Sequence, residues 1–255
     1  MTEPLLELQD VRTGFGGNTV LHGCSYHVNP GEIAAVLGLN GAGKSVSLKV
    51  VAGIQPAWSG TVLFGGKDIT GLPAESRVAM GMGHVPQGRQ VFPGLTVEQN
   101  LRLGAYVLRR RERQRYPEVL ENVLARFPIL RDRLGQEAGT LSGGQQAMLA
   151  LARGLMSEPK ILLVDEASAG LSPTSVQELF ETLRAMNESG VPMLMVEQNV
   201  TFTLKVATRV HIMQRGTIVY EGSVDSLDTN KVAEYLGVGR LLGRQLAAAK
   251  GKGSR

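Results

Sequence analysis

A chain of 255 residues is long enough to bury a substantial core, either as one large domain or as a core with an added lobe. The formal net charge of +4 is modest, and much of the positive excess lies in Arg109, Arg110, Arg111, Arg113 and Arg115 and in residues 250–255. Both clusters are typical of solvated surface, with contact to phospholipid head groups or RNA as the alternative. The single cysteine excludes an intrachain disulfide and favours a reducing compartment, and no apolar run approaches the roughly 20 residues that span a bilayer. We therefore expect a cytoplasmic chain that reaches any membrane through a partner.

Two stretches near the start of the chain alternate apolar and polar side chains. Residues 5–12 and 19–28 predict two strands, joined by a Gly-Phe-Gly-Gly-Asn turn at residues 14–18. The aromatic ring of Phe15 would then lie on a loop. Such a ring can stack on a planar ligand such as adenine, whereas a lone aromatic residue is more often packed in a core.

Residues 38–45, Gly-Leu-Asn-Gly-Ala-Gly-Lys-Ser, fit the phosphate-binding pattern G-x-x-x-x-G-K-[ST] at every fixed position. The glycines let backbone N–H groups turn toward an anion, Lys44 can reach the β- and γ-phosphates, and the Ser45 hydroxyl can bind Mg²⁺. The flanking segments agree, because residues 32–37 predict a buried strand and residues 46–52 an apolar helix. We therefore predict nucleotide contacts from Asn40, Gly41, Ala42, Gly43, Lys44, Ser45 and Val46.

The next elements are short. A turn at residues 54–60 precedes a predicted strand at 61–64, a helix at 74–80 and a strand at 82–85. Gln87 follows this last strand, where its amide could orient a metal ion or a water molecule. Considered alone, Gln87 is more typical of a surface turn.

From residue 96 to residue 139 the spacing becomes helical. Thr96 and Gln99 form a capping box for one helix. A second helix carries one apolar stripe, formed by Tyr116, Val119, Leu120, Val123, Leu124 and Phe127. The change in pattern predicts a helical lobe inserted into an α/β core.

Ser142 and Gln145 form another capping box before a helix at residues 145–156. A helix start that contains Ser142, Gly143 and Gly144 offers a hydroxyl, backbone N–H groups and a favourable dipole, which together suit a second anion site. The alternative is a well-capped structural helix. On the first interpretation, Ser142, Gly143, Gly144 and Gln145 contact nucleotide.

The apolar strand predicted at residues 161–166 ends in Asp165 and Glu166. Desolvating two carboxylates costs several kcal/mol unless each has a partner. A Mg²⁺ ion supplies that partner, so we assign Asp165 to the metal and Glu166 to the attacking water. Ser172 and Pro173 then begin a helix whose buried face comprises Val176, Leu179, Phe180, Leu183 and Met186.

The last predicted core strand, residues 193–196, is followed by Gln198 and Asn199. Asn199 is expected to cap a helix that runs to Lys205, and Gln198 would lie at the carboxyl edge of the sheet, where ligands bind in open α/β folds. Strands at 210–214 and 217–221, a short helix to residue 236 and a polar tail complete the chain.

The phosphate loop, Gln87, Leu-Ser-Gly-Gly-Gln, the two carboxylates and Gln198 occur in an order that resembles the ATP-binding subunit of an ABC transporter. The resemblance covers residues 5 to 237. Three finer features are similar to the second ATPase type of branched-chain amino-acid importers, with urea importers close behind. They are Gly-Arg-Gln-Val-Phe-Pro-Gly-Leu-Thr-Val-Glu-Gln-Asn-Leu after Gln87, Asp-Ile-Thr-Gly-Leu-Pro at 68–73, and Val-Glu-Gln-Asn at 196–199.

This resemblance implies an α/β fold in which a P-loop RecA-like core carries an antiparallel β-subdomain and an inserted α-helical subdomain. The expected bounds are 1–90 and 157–237 for the core with its β-subdomain, 91–156 for the helical subdomain and 238–255 for a tail. The family also implies two cassettes packed head to tail, as a homodimer or heterodimer, on transmembrane permease subunits at the cytoplasmic face of the membrane. No nucleic-acid partner is expected.

For this chain, the resemblance implies ATP and Mg²⁺ as the bound groups. Catalysis is expected from Lys44, Glu166 and Gln198, and metal binding from Ser45, Gln87 and Asp165. Gln87 and Phe15 are added to the residues that contact the nucleotide.

Four positions depart from the usual family pattern: Gln198 replaces a histidine, Ala167 a proline, Ser172 an aspartate and Val46 a threonine. We expect these changes to affect turnover and coupling between the two sites more than nucleotide binding. Two other functions stay open from the sequence. One is a nucleic-acid-associated ABC ATPase, favoured by the arginine run and the tail, and the other is a regulatory cassette with little catalysis.

Overall fold

The computed structural model describes residues 3–108 and 113–236, and these form two compact units. The first unit contains the described residues up to Ala74 and from Pro192 onward, and the second is Glu75–Val191. The subdomain bounds expected from the sequence stay a prediction. The arginines at 109–111 and the tail at 238–255, on which the nucleic-acid hypothesis depended, lie outside the described residues.

Ten strands and nine α-helices occur among the residues that the structure describes. Before the unit boundary come β1 (Leu6–Phe15), β2 (Asn18–Val28), β3 (Ile33–Leu37), α1 (Lys44–Val51), β4 (Ser59–Phe64) and β5 (Lys67–Asp68). There follow α2 (Ala74–Ala79), β6 (Met82–Val85), α3 (Val97–Gly104), α4 (Tyr116–Arg126), α5 (Pro128–Arg131), α6 (Gly143–Leu155), β7 (Ile161–Asp165) and α7 (Pro173–Glu188). The chain then forms β8 (Met193–Glu197), α8 (Val200–Val206), β9 (Arg209–Gln214), β10 (Thr217–Ser223) and α9 (Thr229–Tyr235).

The first unit contains an antiparallel sheet in the order β2-β1-β4-β5. Its first hairpin turns at Gly16 and Gly17, whose φ angles of +54° and +84° suit the tight turn that joins twisted strands. The two predicted strands are confirmed, but pairing continues to Phe15 and Asn18. Phe15 therefore ends β1 instead of lying on a loop. Its side chain is 53% exposed, which excludes the alternative of packing in the core, and its contact with a nucleotide stays a prediction.

The same unit contains a second group of strands in the order β10-β9-β3-β8. Strand β3 pairs in parallel with β8 on one side and with β9 on the other. All five residues of β3 and of β8 are buried, as expected for parallel strands covered on both faces. Because Leu37 pairs with Glu197, the segments that follow β3 and β8 emerge at the same edge.

In the second unit β6 and β7 pair in parallel, with Val85 beside Val164. Both predicted capping boxes are confirmed, at Thr96 with Gln99 and at Ser142 with Gln145. The predicted buried face of α7 is also confirmed, since its five apolar residues are all buried. None of the described helices combines the length and the apolar content needed to cross a membrane.

A buried histidine of the first unit connects strand β9 to strand β2 of the antiparallel sheet. His211, in β9, is fully buried, and its Nε2 donates a hydrogen bond of 3.0 Å to the His27 carbonyl oxygen. Since a carbonyl only accepts, Nε2 carries the proton and Nδ1 carries the lone pair. Nδ1 lies 3.7 Å from the Glu221 carboxylate, which is itself paired with Arg209 at 3.0 Å. Burial, which disfavours the charged ring, lowers the pKa of His211 to about 3.

This pKa gives the stability of the protein a definite dependence on pH. Above the ordinary histidine pKa of 6.5, His211 is neutral in both the folded and the unfolded chain. Below it, the unfolded chain binds a proton that the folded protein does not bind until about pH 3. His211 should therefore reduce the free energy of unfolding by up to about 1.4 kcal/mol for each pH unit across this window.

We expect His211→Gln to have a shallower loss of stability in acid than the wild-type protein, because glutamine does not titrate. Urea unfolding at several pH values between 6.5 and 3 measures the two slopes. His22→Gln, at an exposed position of β2, is the matched control and should keep the wild-type slope. Equal slopes for His211→Gln and wild type would contradict this explanation.

Candidate functional site

The phosphate loop connects β3 to α1 within the first unit. Gly41 and Gly43 have φ angles of +78° and +105°, which L side chains rarely adopt. Lys44 is only 4% exposed, and its Nζ donates to the carbonyl oxygens of Gly38 at 3.0 Å and Leu39 at 3.2 Å. Helix α1 begins with no side-chain cap and no acidic residue in its first turn. The loop therefore combines a positive helix end with a fixed ammonium group, which suits an anionic ligand.

The turn between β9 and β10 supports this loop. The Gly216 N–H donates to the Ala42 carbonyl oxygen at 2.8 Å, and the Gly216 carbonyl accepts from His22 N at 3.0 Å. A side chain at Gly38 would overlap the backbone of Met213, and one at Gly43 would approach Leu21 Cδ2 to 2.9 Å. Gly38 is thus required by its neighbours, Gly41 by its φ angle and Gly43 by both.

Gln198 follows β8 at the edge where the phosphate loop follows β3. The pairing of Leu37 with Glu197 places Gln198 beside the start of the loop at Gly38. Gln198 is exposed, whereas Glu197 is 1% exposed. Asn199 caps α8, as predicted, by accepting a hydrogen bond of 3.3 Å from Phe202 N. The first unit therefore brings together the phosphate loop and Gln198 in the way that the sequence predicted.

The second unit brings Gln87 to the carboxylates at the end of β7. Asp165 and Glu166 are 1% and 7% exposed, and Glu166 leaves the strand with a φ angle of +43°. Gln87 Nε2 donates to Glu166 Oε2 at 2.8 Å. This bond orients the carboxylate and leaves the amide Oε1 of Gln87 as an acceptor. A strained backbone at a buried acid is typical of a functional position.

The predicted second anion site lies at the start of α6. Ser142 Oγ accepts from Gln145 N at 3.3 Å, while Gln145 Oε1 accepts from Ser142 N at 3.0 Å. The hydroxyl of Ser142 keeps its proton for donation to a ligand, because in the capping box it acts as an acceptor. An added Cβ at Gly144 would lie 2.6 Å from Ser175 Oγ, and one at Gly143 would lie 2.8 Å from the Arg89 guanidinium.

The three side chains predicted to bind a metal ion, Ser45, Gln87 and Asp165, offer oxygen atoms, which suit magnesium better than a softer metal. The described residues contain no cluster of three histidine, cysteine, aspartate or glutamate side chains that could hold a metal ion. Mg²⁺ needs no such cluster, since it commonly binds one or two carboxylates together with phosphate oxygens and water. The Ser45 hydroxyl in the first unit, and the Gln87 amide and Asp165 carboxylate in the second, are donors of this kind.

Two sets of residues contact the predicted site, but no local pattern in the sequence indicates that they do so. Met213 and Gly216 support the phosphate loop from a hairpin more than 170 residues away along the chain. Arg89 bonds to Gly170 and Gln146 and lies against Gly143. The glycine at residue 216 predicts a turn, but nothing in the sequence indicates what that turn contacts.

A family model and whole-chain similarity both relate this chain to the ATP-binding proteins of ABC transporters. A family model described as ABC transporter matches residues 21–169. The chain is 41% identical over 235 residues to the high-affinity branched-chain amino acid transport ATP-binding protein BraG of Pseudomonas aeruginosa, covering 91% of this chain and 100% of BraG. It is 32% identical to the probable branched-chain amino acid transport ATP-binding protein LivF of Archaeoglobus fulgidus, with 92% and 99% of the two chains covered. The ADP conformation of MJ1267, an ATP-binding cassette of an ABC transporter, superposes with a TM-score of 0.81 at 26% identity, over 92% of this chain and 98% of that one.

The two strained glycines of the phosphate loop offer a matched pair of substitutions. Gly41→Ala adds a side chain at φ +78° with no neighbour within 4 Å, whereas Gly43→Ala adds one at φ +105° that meets Leu21. Both should lose about 1–2 kcal/mol of stability to backbone strain, and Gly43→Ala should lose about 1–3 kcal/mol more to overpacking. Urea unfolding of the two variants measures this difference, and equal losses would show that the Leu21 contact is unimportant.

Proposed function

The chain belongs to the ABC transporter family, as an ATP-binding subunit, and from this premise we propose that it powers an importer of branched-chain amino acids. The observation that supports this substrate class is the similarity to BraG along that protein's whole length. The finer sequence features around Gln87 and Gln198 favour the same class.

In this proposal the first unit binds the body of the ATP molecule. Lys44 neutralises the β- and γ-phosphates, the backbone N–H groups of residues 40–46 contact the phosphate oxygens, and the half-exposed ring of Phe15 stacks on the adenine. Ser45, Gln87 and Asp165 would hold Mg²⁺, which supplies charge neutralisation on the phosphoryl oxygens. Gln198 contacts the γ-phosphate as a neutral amide and therefore donates a hydrogen bond without adding charge.

Glu166 polarises and orients the attacking water. Its carboxylate is buried, so its negative charge is poorly screened, and the hydrogen bond from Gln87 fixes the direction in which it points. Phosphoryl transfer depends on positioning and on charge neutralisation more than on covalent chemistry. A fixed, buried carboxylate beside the attacking water serves the positioning, whereas Lys44 and Mg²⁺ would neutralise the charge of the phosphates.

The start of α6 completes the site of a second cassette. Ser142, Gly143 and Gly144 would contact the γ-phosphate of an ATP molecule that is held by the phosphate loop of the partner. ATP then closes the dimer, permease subunits respond across the membrane, and hydrolysis resets the pair. The chain would work at the cytoplasmic face of the membrane, bound to those permease subunits.

We expect proteoliposomes that contain the chain and its membrane subunits to accumulate labelled leucine, isoleucine or valine when ATP is supplied.

Glu166→Gln should lower ATP turnover and uptake about 100-fold or more, because a neutral amide polarises the attacking water much less than a carboxylate does. Binding of ATP, measured by equilibrium dialysis, should be retained. Uptake of labelled urea in place of these amino acids would overturn the substrate class, and unchanged turnover in Glu166→Gln would overturn the role of Glu166.

Gln198→Ala should lower kcat for ATP hydrolysis about tenfold and leave the affinity for ATP nearly unchanged. A donor that acts mainly on the charge developed in the transition state contributes to kcat and little to ground-state binding. Steady-state hydrolysis gives kcat, and dialysis with the same preparation gives affinity. An equal loss in both quantities would contradict a role in sensing the γ-phosphate.

A further inference from the structure

The turn that follows Gln87 has an unusual backbone. Gly88, Arg89 and Gln90 have φ angles of +79°, +66° and +42°, so three consecutive residues occupy the left-handed region. Glycine adopts this conformation easily, but arginine and glutamine do so at an energetic cost. Such a turn persists only where surrounding contacts hold it, and here those contacts come from the side chains of the turn itself.

Arg89 makes contacts of this kind with two other segments of the second unit. Its Nη2 donates to the Gly170 carbonyl oxygen at 3.1 Å, and its Nη1 donates to Gln146 Oε1 at 3.5 Å. The Gln146 amide is oriented for this, because its Nε2 donates to the Ala138 carbonyl at 3.2 Å and its Oε1 is left to accept. Arg89 thereby connects the Gln87 turn to the loop that follows β7 and to the first turns of α6.

The position of the guanidinium also depends on a glycine of the predicted second anion site. A Cβ at Gly143 would come within 2.8–3.2 Å of three atoms of the Arg89 guanidinium. The absence of a side chain at Gly143 lets the guanidinium lie against the helix start. The contact with Gln146 and the contact with Gly143 thus place Arg89 on α6, beside the segment that begins with Ser142.

Two hydrogen bonds run between the same pair of segments. Gln87 donates to Glu166, and Arg89, two residues further along the turn, donates to Gly170, four residues further along the loop. A single bond from the flexible Gln87 side chain would leave the turn free to rotate about it. The bond from Arg89 removes this freedom, so Gln87 meets the Glu166 carboxylate in one orientation.

We propose that Arg89 is a positioning residue for ATP hydrolysis, which keeps the strained Gln87 turn on Glu166 and connects both to the helix start at Ser142. This inference rests on the proposed role of Glu166. We expect a larger effect on kcat than on ATP binding, because residues 40–46, which hold the body of the nucleotide in the proposed function, belong to the first unit and the Arg89 contacts described here are all within the second. Lysine is a poor substitute, since an ammonium group cannot bond two acceptors in the planar fork of a guanidinium.

The test is steady-state ATP hydrolysis by the full chain in its complex with the membrane subunits. Arg89→Ala should lower kcat about tenfold and keep KM for ATP within about twofold of wild type. Arg89→Lys should recover part of this loss, since its ammonium can still bond to Gly170. In a protein that already carries Gln87→Ala, Arg89→Ala should reduce kcat by less than about twofold, because its effect passes through Gln87.

Arg131→Ala is the matched control. Arg131 also makes two side-chain hydrogen bonds in the second unit, to the Glu121 carboxylate at 2.7 Å and 2.8 Å. Its removal should leave kcat unchanged. Thermal unfolding of every variant shows whether the fold is intact, and if Arg89→Ala is unfolded, a loss of kcat at constant KM in Arg89→Lys still supports the proposal.

The outcomes separate this inference from the proposed function. If Glu166→Gln hydrolyses ATP at the wild-type rate, the role of Glu166 is wrong and the inference is overturned with it. If Glu166→Gln is inactive but folded Arg89 variants keep the wild-type kcat, the positioning role alone is wrong. Equal effects of Arg89→Ala with and without Gln87 would also overturn it, since the arginine would then act independently of that residue.

Discussion

Parallel strand pairing is the constraint on which the other features of this protein depend. Parallel strands finish at a common edge, so residues that are distant in the sequence but follow such strands meet there. In the first unit the pairing of β3 with β8 brings the phosphate loop beside Gln198. In the second, the pairing of β6 with β7 brings Gln87 to Glu166. A shift of one residue in either register would turn each side chain of the strand to the opposite face of the sheet.

The burial of acidic side chains indicates function, because buried carboxylates by themselves destabilise a fold. Asp165, Glu166 and Glu197 are each less than a tenth exposed. Carboxylates in such positions weaken the fold unless hydrogen bonds or cations accompany them. The bond from Gln87 is one such compensation, and the magnesium that we propose at Asp165 would be another. A fold selected for stability alone would have ended β7 in apolar residues.

Local patterns in the sequence were enough to predict most of the helices and strands and to indicate the residues that we propose for the site. The capping residues Thr96, Ser142 and Asn199 and the apolar face of α7 depend on neighbours within one helical turn, so their outcome was predictable. The exposure of Phe15 could not be read from the sequence, because aromatic residues are usually buried and no local pattern shows that the end of β1 is exposed to solvent. Contacts such as Ala42 with Gly216 join residues far apart in the chain, and no local pattern encodes them. The left-handed φ of Arg89 was equally unpredictable, since glycine and asparagine are the residues that normally indicate it.

The hairpin turn at Arg215 and Gly216 has the same backbone conformation as the turn at Gly65 and Gly66, but a different set of neighbours. Both turns join antiparallel neighbours through two residues of positive φ. At Gly216 both backbone polar groups are committed, one to the phosphate loop and one to β2, and there is no room for a side chain. At Gly65 the N–H donates to the Leu5 carbonyl oxygen at 2.8 Å, but an added Cβ would meet nothing within 4 Å, and one at Gly66 would meet only the end of the Glu3 side chain, at 3.1 Å. Sequence variation should therefore be tolerated better in the Gly65 turn, whereas at Gly216 a side chain or an insertion would displace the phosphate loop itself.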